Sequence, residues 1–517
     1  MDTRRTGIFL AIVLIIGVLW GALWGSLWVP YVESAPARKL IVATGQEPTS
    51  IDPSLAGVGG DYAIVENYAE YLVYKTPSGD LKPGLATSWK MSPDGKEIEF
   101  ALRKGVKFHS GDPLTAKDIE FSFERGRAKN QTIKTRLRVM DRIEVIDDYR
   151  FKVHFKTPDV TFIPNRGVMI VSKSYYDRVG EEKFVRNPVG TGPYKFVDYA
   201  PAEYVDIERF EGYWGEKPSV KEARFIFVPE DTTRVAKLKA GEVDIITSCP
   251  YPTVKDLEKS PELKVIRLAT NHPTPSVFFA TRNPKTPWHD RRVRLAMAYA
   301  IDSASIIKNI FHGIPNHWAY LAPYEIGYDP ELKPYPYDPK KAKELLAEAG
   351  YRNGFDLTLY WIITGRFPFK EGAEAIAAYF EAVGIRTKLV GEEPVKNLSR
   401  HRASKSPAAE YVGFFSGGRS GSVDPTFYLE LFFSAEGGFS VYYNPELDRV
   451  VTEAKAVVDD AKRGELIKKA TRMVHEDVAT IPICNVVVVY ATKKNIDFKP
   501  TQKHAMELVL IKDVAVK

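Results

Sequence analysis

The chain contains very little cysteine: Cys249 and Cys484 are its only two among 517 residues. Two cysteines exclude a disulfide-rich scaffold, so apolar cores rather than cross-links must hold the fold together. The pair could form one disulfide in an oxidising compartment. Two separate buried thiols are the alternative, and we expect these.

Long runs of one charge and familiar catalytic motifs are also missing. Lys and Arg are interleaved with Asp and Glu along the chain, and the net charge is +6. A mixed surface of this kind argues against nucleic-acid binding. The sequence has no Gly-x-Ser-x-Gly elbow, no His-Glu-x-x-His, no P-loop and no convincing metal-ligand spacing. We therefore expect neither an enzyme nor a bound cofactor or metal.

A long apolar run lies near the N-terminus. Two arginines precede residues 8–29, which carry no charge, and an Ala-x-Ala sequence follows at 35–37. This order of basic, apolar and small residues predicts a secretory signal peptide over residues 1–37. At 22 residues, the apolar run could also span a bilayer as an uncleaved membrane anchor. We favour cleavage before Arg38, because the Ala-x-Ala site follows directly.

Residues 85–124 are the most informative segment of the chain. The turn residues Ser-Pro-Asp-Gly at 92–95 precede alternating polar and apolar residues at 97–102, which predicts a β-hairpin. Thr115 and Asp118 then resemble a capping box and predict the start of a helix. Strands and helices alternate again further along the chain, which indicates an α/β architecture.

The same segment closely resembles the signature of the peptide/nickel family of ABC-transporter solute-binding proteins. Similar pieces follow in the family's order at 190–194, 234–246, 292–302 and 337–350. From this joint order, the chain is identified as a member of family 5, the peptide, nickel and opine type. The resemblance implies a type II periplasmic-binding-protein fold, an α/β architecture of two lobes with a hinge and an extra subdomain in lobe one.

The resemblance also implies where the lobes begin and end. Lobe one would comprise residues 38–73, 188–276 and 485–517, its extra subdomain residues 74–187, and lobe two residues 277–484. Ligand would lie between the lobes, which close around it by hinge motion. The resemblance further implies a monomer in the periplasm or at the extracellular face of the cytoplasmic membrane, with the permease of an ABC importer as its partner.

One family feature is absent. In peptide-binding relatives, an acidic residue a few positions before an Asp-Pro pair holds the α-amine of the peptide. The corresponding pair here is Asp424-Pro425, and Gly421 occupies the position of the acid. This argues against ordinary peptides, because a buried ammonium needs a charged partner. Asp424 itself is expected to cap the following helix.

The candidate solute contacts are one cation, one hydroxyl and three aromatic rings. The cation lies in the glycine-rich segment before the Asp-Pro pair, and it could pair with a carboxylate or phosphate or simply face solvent. The rings could form apolar or stacking walls of the solute site, but we expect core packing for each of them at least as strongly. One ring belongs to a helix predicted at 61–74. The candidates are Arg419, Ser420, Phe415, Trp361 and Tyr62.

We therefore predict an extracytoplasmic protein that captures a small solute between its lobes and delivers it to an ABC importer. The solute could be a peptide, an opine-like compound, an oligosaccharide or another small molecule. A secreted enzyme is the alternative, since Gly417–Gly421 superficially resembles a nucleophile loop. A sensor or chaperone that reuses the fold is a third hypothesis.

Overall fold

The structure is a computed structural model. It describes residues 39–56, 59–75, 80–165, 167–273, 275–315, 320, 321, 323, 325–363, 367–416, 424–435, 437–500 and 508–517. The predicted export segment, residues 1–37, lies outside the described residues, as do Arg419 and Ser420. Of the helices that the structure describes, none is long and apolar enough to cross a membrane.

The strands are short, and each is named here in chain order. They are β1 Leu40–Thr44, β2 Val73–Lys75, β3 Leu81–Pro83, β4 Ala86–Met91, β5 Glu97–Leu102, β6 Met140–Asp147, β7 Arg150–Phe155, β8 Tyr194–Ala200, β9 Tyr204–Arg209, β10 Glu222–Phe227, β11 Ile245–Ile246, β12 Leu263–Pro273, β13 Pro275–Phe279, β14 Asp356–Ile362, β15 Arg386–Glu392, β16 Val412–Ser416, β17 Thr480–Pro482, β18 Asn485–Lys493, β19 Ile496–Phe498 and β20 Val514–Val516.

The helices alternate with these strands. They are α1 Gly59–Val65, α2 Ala116–Lys129, α3 Gln131–Arg136, α4 Phe162–Asn165, α5 Lys173–Arg186, α6 Asp231–Lys239, α7 Val254–Leu257, α8 Arg291–Ala300, α9 Ser303–Asn309, α10 Pro339–Glu348, α11 Phe369–Glu381, α12 Pro394–Ala403, α13 Pro425–Phe433, α14 Pro445–Ala456 and α15 Asp460–Glu476.

Three larger sheets organise the described strands. The first sheet has the order β12-β18-β11-β1-β10-β9-β8, and the second has the order β15-β14-β16-β13-β17. β1 pairs in parallel with β10 and β11, and β14 pairs in parallel with β15 and β16. The third sheet, β4-β5-β7-β6, is antiparallel. Parallel strands joined through helices are the predicted α/β class.

One apolar core crosses from the first sheet to the second. One cluster includes Ile246 of the first sheet and Leu359 of the second, and contacts group Lys39–Lys517 into a single unit. The lobe boundaries therefore stay a prediction. Cys249 and Cys484 are both free and buried, which confirms the expectation of separate thiols.

The segment around residues 85–124 folds as its sequence predicted. β4 and β5 form the hairpin, and the helix begins after Thr115. The carboxylate of Asp118 accepts hydrogen bonds from the Thr115 backbone N–H at 2.8 Å and from its hydroxyl at 2.9 Å. These bonds satisfy donors at the helix start, which otherwise lack partners.

The predicted helix at 61–74 was wrong in its second part. α1 ends at Val65, and the segment that follows leads into β2. Its backbone carbonyls bind distant partners instead: Gly192 N–H donates to Tyr68 O at 3.1 Å, and Ile170 N–H donates to Glu70 O at 3.0 Å. Such long-range bonds replace helical ones and leave no trace in local periodicity.

A buried arginine fastens α6 to the first sheet. The guanidinium of Arg234 donates to Thr247 O at 3.0 Å, Val228 O at 2.7 Å and Ser248 O at 2.8 Å. These carbonyls follow β10 and β11, so the arginine joins the carboxyl ends of the two strands that flank β1. Its side chain is 1% exposed, and its loss would leave several buried acceptors without donors.

We expect Arg234→Met to lower the free energy of unfolding by about 3 kcal/mol, because each buried carbonyl left unpaired costs about 1–3 kcal/mol. Urea denaturation at pH 7 measures the change. Lys239→Met is the control, since this exposed residue lies on the same helix, and surface changes usually stay within about 0.5 kcal/mol. Equal effects of the two substitutions would contradict the prediction.

Candidate ligand-binding site

Two chain crossings join the first and second sheets. β12 runs on into β13, and β17 is followed by β18, so each pair of strands serves both sheets. The crossings pair with each other, because Pro273 lies opposite Asn485 and Ile483 N–H donates to Pro275 O at 2.9 Å. Proline has no N–H to donate to a ladder, so the pairing is interrupted where the chain changes sheets. The crossings have the features of a hinge.

The parallel strands of the two sheets end near one another. Tyr251 follows β11 of the first sheet, and Phe367 follows β14 of the second. Their ring centroids lie 6.0 Å apart. In open α/β sheets, ligands bind beyond the carboxyl ends of the strands. The region where these ends meet is therefore the candidate site, and the hinge lies next to it.

The loop after β1 is held in place from α1. Asp61 accepts hydrogen bonds from the backbone N–H of Thr49 at 2.6 Å and of Ser50 at 3.2 Å. Gly45 begins the loop against Arg234, where a Cβ would lie 3.2 Å from Nη1 of the guanidinium. These contacts fix the backbone at the carboxyl end of β1, as a binding surface requires.

Glu47 is a charged residue of this loop that the sequence analysis did not single out. Its Oε1 accepts hydrogen bonds from the Tyr199 hydroxyl at 2.6 Å and from the Ala202 N–H at 2.8 Å. These bonds, the tyrosine's first, lower the pKa of Glu47. The partners lie 152 and 155 residues further along the chain, so no local motif marks the residue.

Trp361 and Phe415 lie on neighbouring strands of the second sheet and pack in different apolar clusters. Trp361 is partly buried over Gly391, where a Cβ would lie 2.6 Å from the indole ring. Phe415 is 7% exposed and stacks on Phe278 with ring centroids 4.5 Å apart. Core packing accounts for both positions, and a solute contact stays a prediction for each.

Tyr62 lies in a third cluster, against the first sheet. It is 5% exposed, and its hydroxyl donates to Ala56 O at 3.1 Å. The structure therefore does not bring the three aromatic candidates together into one wall. Arg419 and Ser420 follow β16 in the sequence and lie outside the described residues.

Asp424 caps α13, as the sequence predicted. Its carboxylate accepts a hydrogen bond from the Thr426 backbone N–H at 2.9 Å and forms an ion pair with Arg463 of α15. Both partners belong to helices packed beside the second sheet. The charge of Asp424 is thus compensated within the fold.

His401 of α12 packs edge-on against Phe415, with ring centroids 4.7 Å apart. Its Nε2 donates to Phe439 O, and within the described part of the chain its Nδ1 meets no hydrogen-bond partner. Burial lowers the pKa of His401 to about 4, so the ring is neutral at pH 7. Among the residues described, no three metal-ligating side chains lie together.

A separate recess of about 970 Å³ opens at the far end of the first sheet. It lies beside the end of β18, the end remote from the hinge. Its charged lining carries both signs, with Lys259, Lys494 and Glu262 among the residues. Its distance from the crossings separates it from the candidate site.

Comparisons with known proteins agree on one family. The profile for bacterial extracellular solute-binding proteins, family 5 Middle, matches residues 80–440. Heme-binding protein A of Haemophilus influenzae is 31% identical over 88% of this chain and 88% of its own. The dipeptide-binding protein of Escherichia coli is 29% identical over 92% of this chain and 95% of its own.

Solved structures share the fold. The periplasmic binding protein DppA from Helicobacter pylori, in complex with peptide STSA, has a TM-score of 0.78 at 29% identity, covering 93% of this chain and 98% of its own. HbpA2 from Haemophilus parasuis has a TM-score of 0.79 at 26% identity, covering 93% and 100%.

The depressed pKa of His401 predicts a loss of stability in mild acid. Between the ordinary value of 6.5 and about 4, the unfolded chain binds a proton at this ring that the folded chain excludes. Stability therefore falls as the pH falls through this range. We expect His401→Gln, which keeps a donor for Phe439 O, to remove about 1–2 kcal/mol of the loss between pH 7 and pH 5.

Urea denaturation at several pH values measures this slope. His312→Asn is the control, because His312 is exposed, and asparagine tolerates the positive φ of 57° at this position. The control should keep the wild-type slope. An unchanged slope in His401→Gln would show that other groups cause the acid sensitivity.

Proposed function

The chain belongs to the bacterial extracellular solute-binding proteins of family 5, and from this premise we propose that it captures a small solute between two lobes and delivers it to the permease of an ABC importer. The family and the type II periplasmic-binding-protein fold predicted from the sequence are both confirmed. One observation carries the proposal. Tyr251, after β11 of the first sheet, contacts Phe367, after β14 of the second, and the two chain segments that join these sheets pair with each other at Pro273 and Asn485.

We propose the lobe boundaries at residues 276/277 and 484/485, as the resemblance implied. Both fall at the crossings, where Pro275 accepts from Ile483 and Pro273 faces Asn485. Rotation about these strands would move the loop after β1 relative to the ends of β14 and β16. Closure by a hinge of this kind needs only a few residues to change φ and ψ.

We further propose that the recognised group of the solute is anionic rather than a free α-ammonium. Gly421 supplies no carboxylate, and that of Asp424 is occupied by Thr426 and Arg463. Arg419, in the same segment, is the proposed partner for a carboxylate or phosphate. Dipeptides, glutathione and heme, which the names of similar proteins mention, each carry carboxylates.

The cellular setting follows from the family in outline. Relatives are solute-binding proteins that work outside the cytoplasm. We propose that residues 1–37 export this chain as a cleaved signal or hold it as an anchor, that the chain is a monomer, and that it has no catalytic activity.

A thermal-shift screen of the purified protein tests the proposal. The panel contains opines, organic acids, glutathione, heme and oligosaccharides, and it pairs each free dipeptide with its N-acetylated form. A solute that binds only the folded state adds about 2.7 kcal/mol at 100 times its Kd, so Tm rises. We expect an anionic compound to raise Tm and the acetylated peptides to bind at least as tightly as the free ones.

Two arginine variants sharpen the screen. Arg419→Ala should weaken binding of the identified solute by about tenfold or more, the loss expected for a charge-assisted hydrogen bond. Arg449→Ala is the control, because Arg449 is exposed and pairs with Glu446 on its own helix.

Free dipeptides that bind about 100 times more tightly than their acetylated forms would contradict the proposal that the recognised group of the solute is anionic. No shift with any compound, before and after unfolding and refolding, would contradict solute capture.

A further inference from the structure

We propose that a contact between the extra subdomain and lobe two favours the closed arrangement of the lobes before any solute binds. This contact, called the latch here, comprises Arg138, Val160, Glu430 and Lys455. Arg138 and Val160 flank strands of the third sheet, whereas Glu430 and Lys455 lie on α13 and α14. The first two residues belong to the proposed extra subdomain, and the last two belong to the proposed lobe two. The inference rests on the proposed function, because it requires that these parts move relative to each other.

The charged part of the latch centres on one carboxylate. Oε1 of Glu430 lies 3.0 Å from Nζ of Lys455 and also pairs with Nη2 of Arg138. The side chains of Glu430 and Lys455 are 10% and 12% exposed, whereas that of Arg138 is 39% exposed. The carboxylate is thus buried between one cation of its own lobe and one from the opposite side.

The second part of the latch is a helix end. α14 ends at Ala456, and the last carbonyls of a helix have no partner within it. Val160 N–H donates to the carbonyl of Lys455 at 3.0 Å. The subdomain therefore supplies the donor for a helix that belongs to the other side of the contact.

The donor is positioned by its own turn. The Asp159 N–H donates to Gly95 O at 3.1 Å, and the Asp159 carboxylate accepts from the backbone N–H of Thr161 at 3.1 Å and from its hydroxyl at 2.6 Å. These bonds hold the turn from within the subdomain. The next residue, Val160, therefore presents its N–H from a braced turn.

The ion pair between Arg138 and Glu430 can break without leaving the buried carboxylate of Glu430 unpaired. When Arg138 withdraws, Glu430 keeps Lys455, which lies on the neighbouring helix of the same lobe. Removing both partners of a buried carboxylate would be far more costly. A partly exposed ion pair contributes little and is screened by salt. The latch therefore shifts a balance between open and closed forms rather than locking either one.

Single-molecule energy transfer on the solute-free full chain measures this balance. Dyes placed through Lys117→Cys and Lys462→Cys report across the contact, since both lysines are exposed and lie on its two sides. The native cysteines are buried and stay unlabelled. Arg138→Gln should raise the ratio of open to closed molecules about two- to fivefold, and Arg138→Glu should raise it further. Adding 1 M NaCl to the wild type should act in the same direction.

Arg142→Gln is the matched control. Arg142 is 60% exposed and pairs with Asp141 on its own strand, so its loss should leave the populations unchanged. Equal populations in wild type, Arg138→Gln and Arg138→Glu would overturn the latch, as would an equal shift in the control. Because no solute is used, a negative thermal-shift screen cannot produce these outcomes, and failure of the latch leaves solute capture untouched.

Discussion

The paired crossing between the two large sheets is the constraint on which the rest of the structure depends. β12 and β18 pair along most of their length in the first sheet, and their continuations β13 and β17 pair in the second. Alternate residues of β18 enter different cores: Val487 and Val489 belong to one cluster, Val488 and Tyr490 to another. One strand therefore anchors two layers at once, and its pairing with β12 becomes irregular only near Pro273, at the step between the sheets.

Buried arginines bind backbone carbonyls within each half, whereas the ion pair between Arg138, next to the third sheet, and α13 is partly exposed. Arg234 binds carbonyls after β10 and β11, and Arg294 of α8 binds Trp288 O at 3.0 Å and His289 O at 2.8 Å. Both side chains are almost fully buried. The pairing of Arg138 with Glu430, by contrast, is partly open to solvent. This difference agrees with the proposed closure, in which each half keeps its shape while the contact at Glu430 breaks.

The fold was more predictable from the sequence than the site. Local rules identified the hairpin before α2, the start of α2 and the cap at Asp424, because turns and caps depend on residues a few positions apart. The end of α1 was missed, since the backbone beyond it bonds to residues near 170 and 192. The burial of Tyr62, the partners of Glu47 and the approach of Arg138 to Glu430 all depend on pairs distant in sequence, which no periodicity records.

Hydrogen–deuterium exchange with and without the solute that raises Tm most would test the central claim most directly. Closure around a solute predicts slower exchange at the same time in the loop after β1, at the ends of β14 and β16, and in residues 480–486 at the crossing. The strands β4 to β7 should keep their rates. Protection confined to one sheet, or found only around the recess beside Lys494, would contradict binding between the lobes.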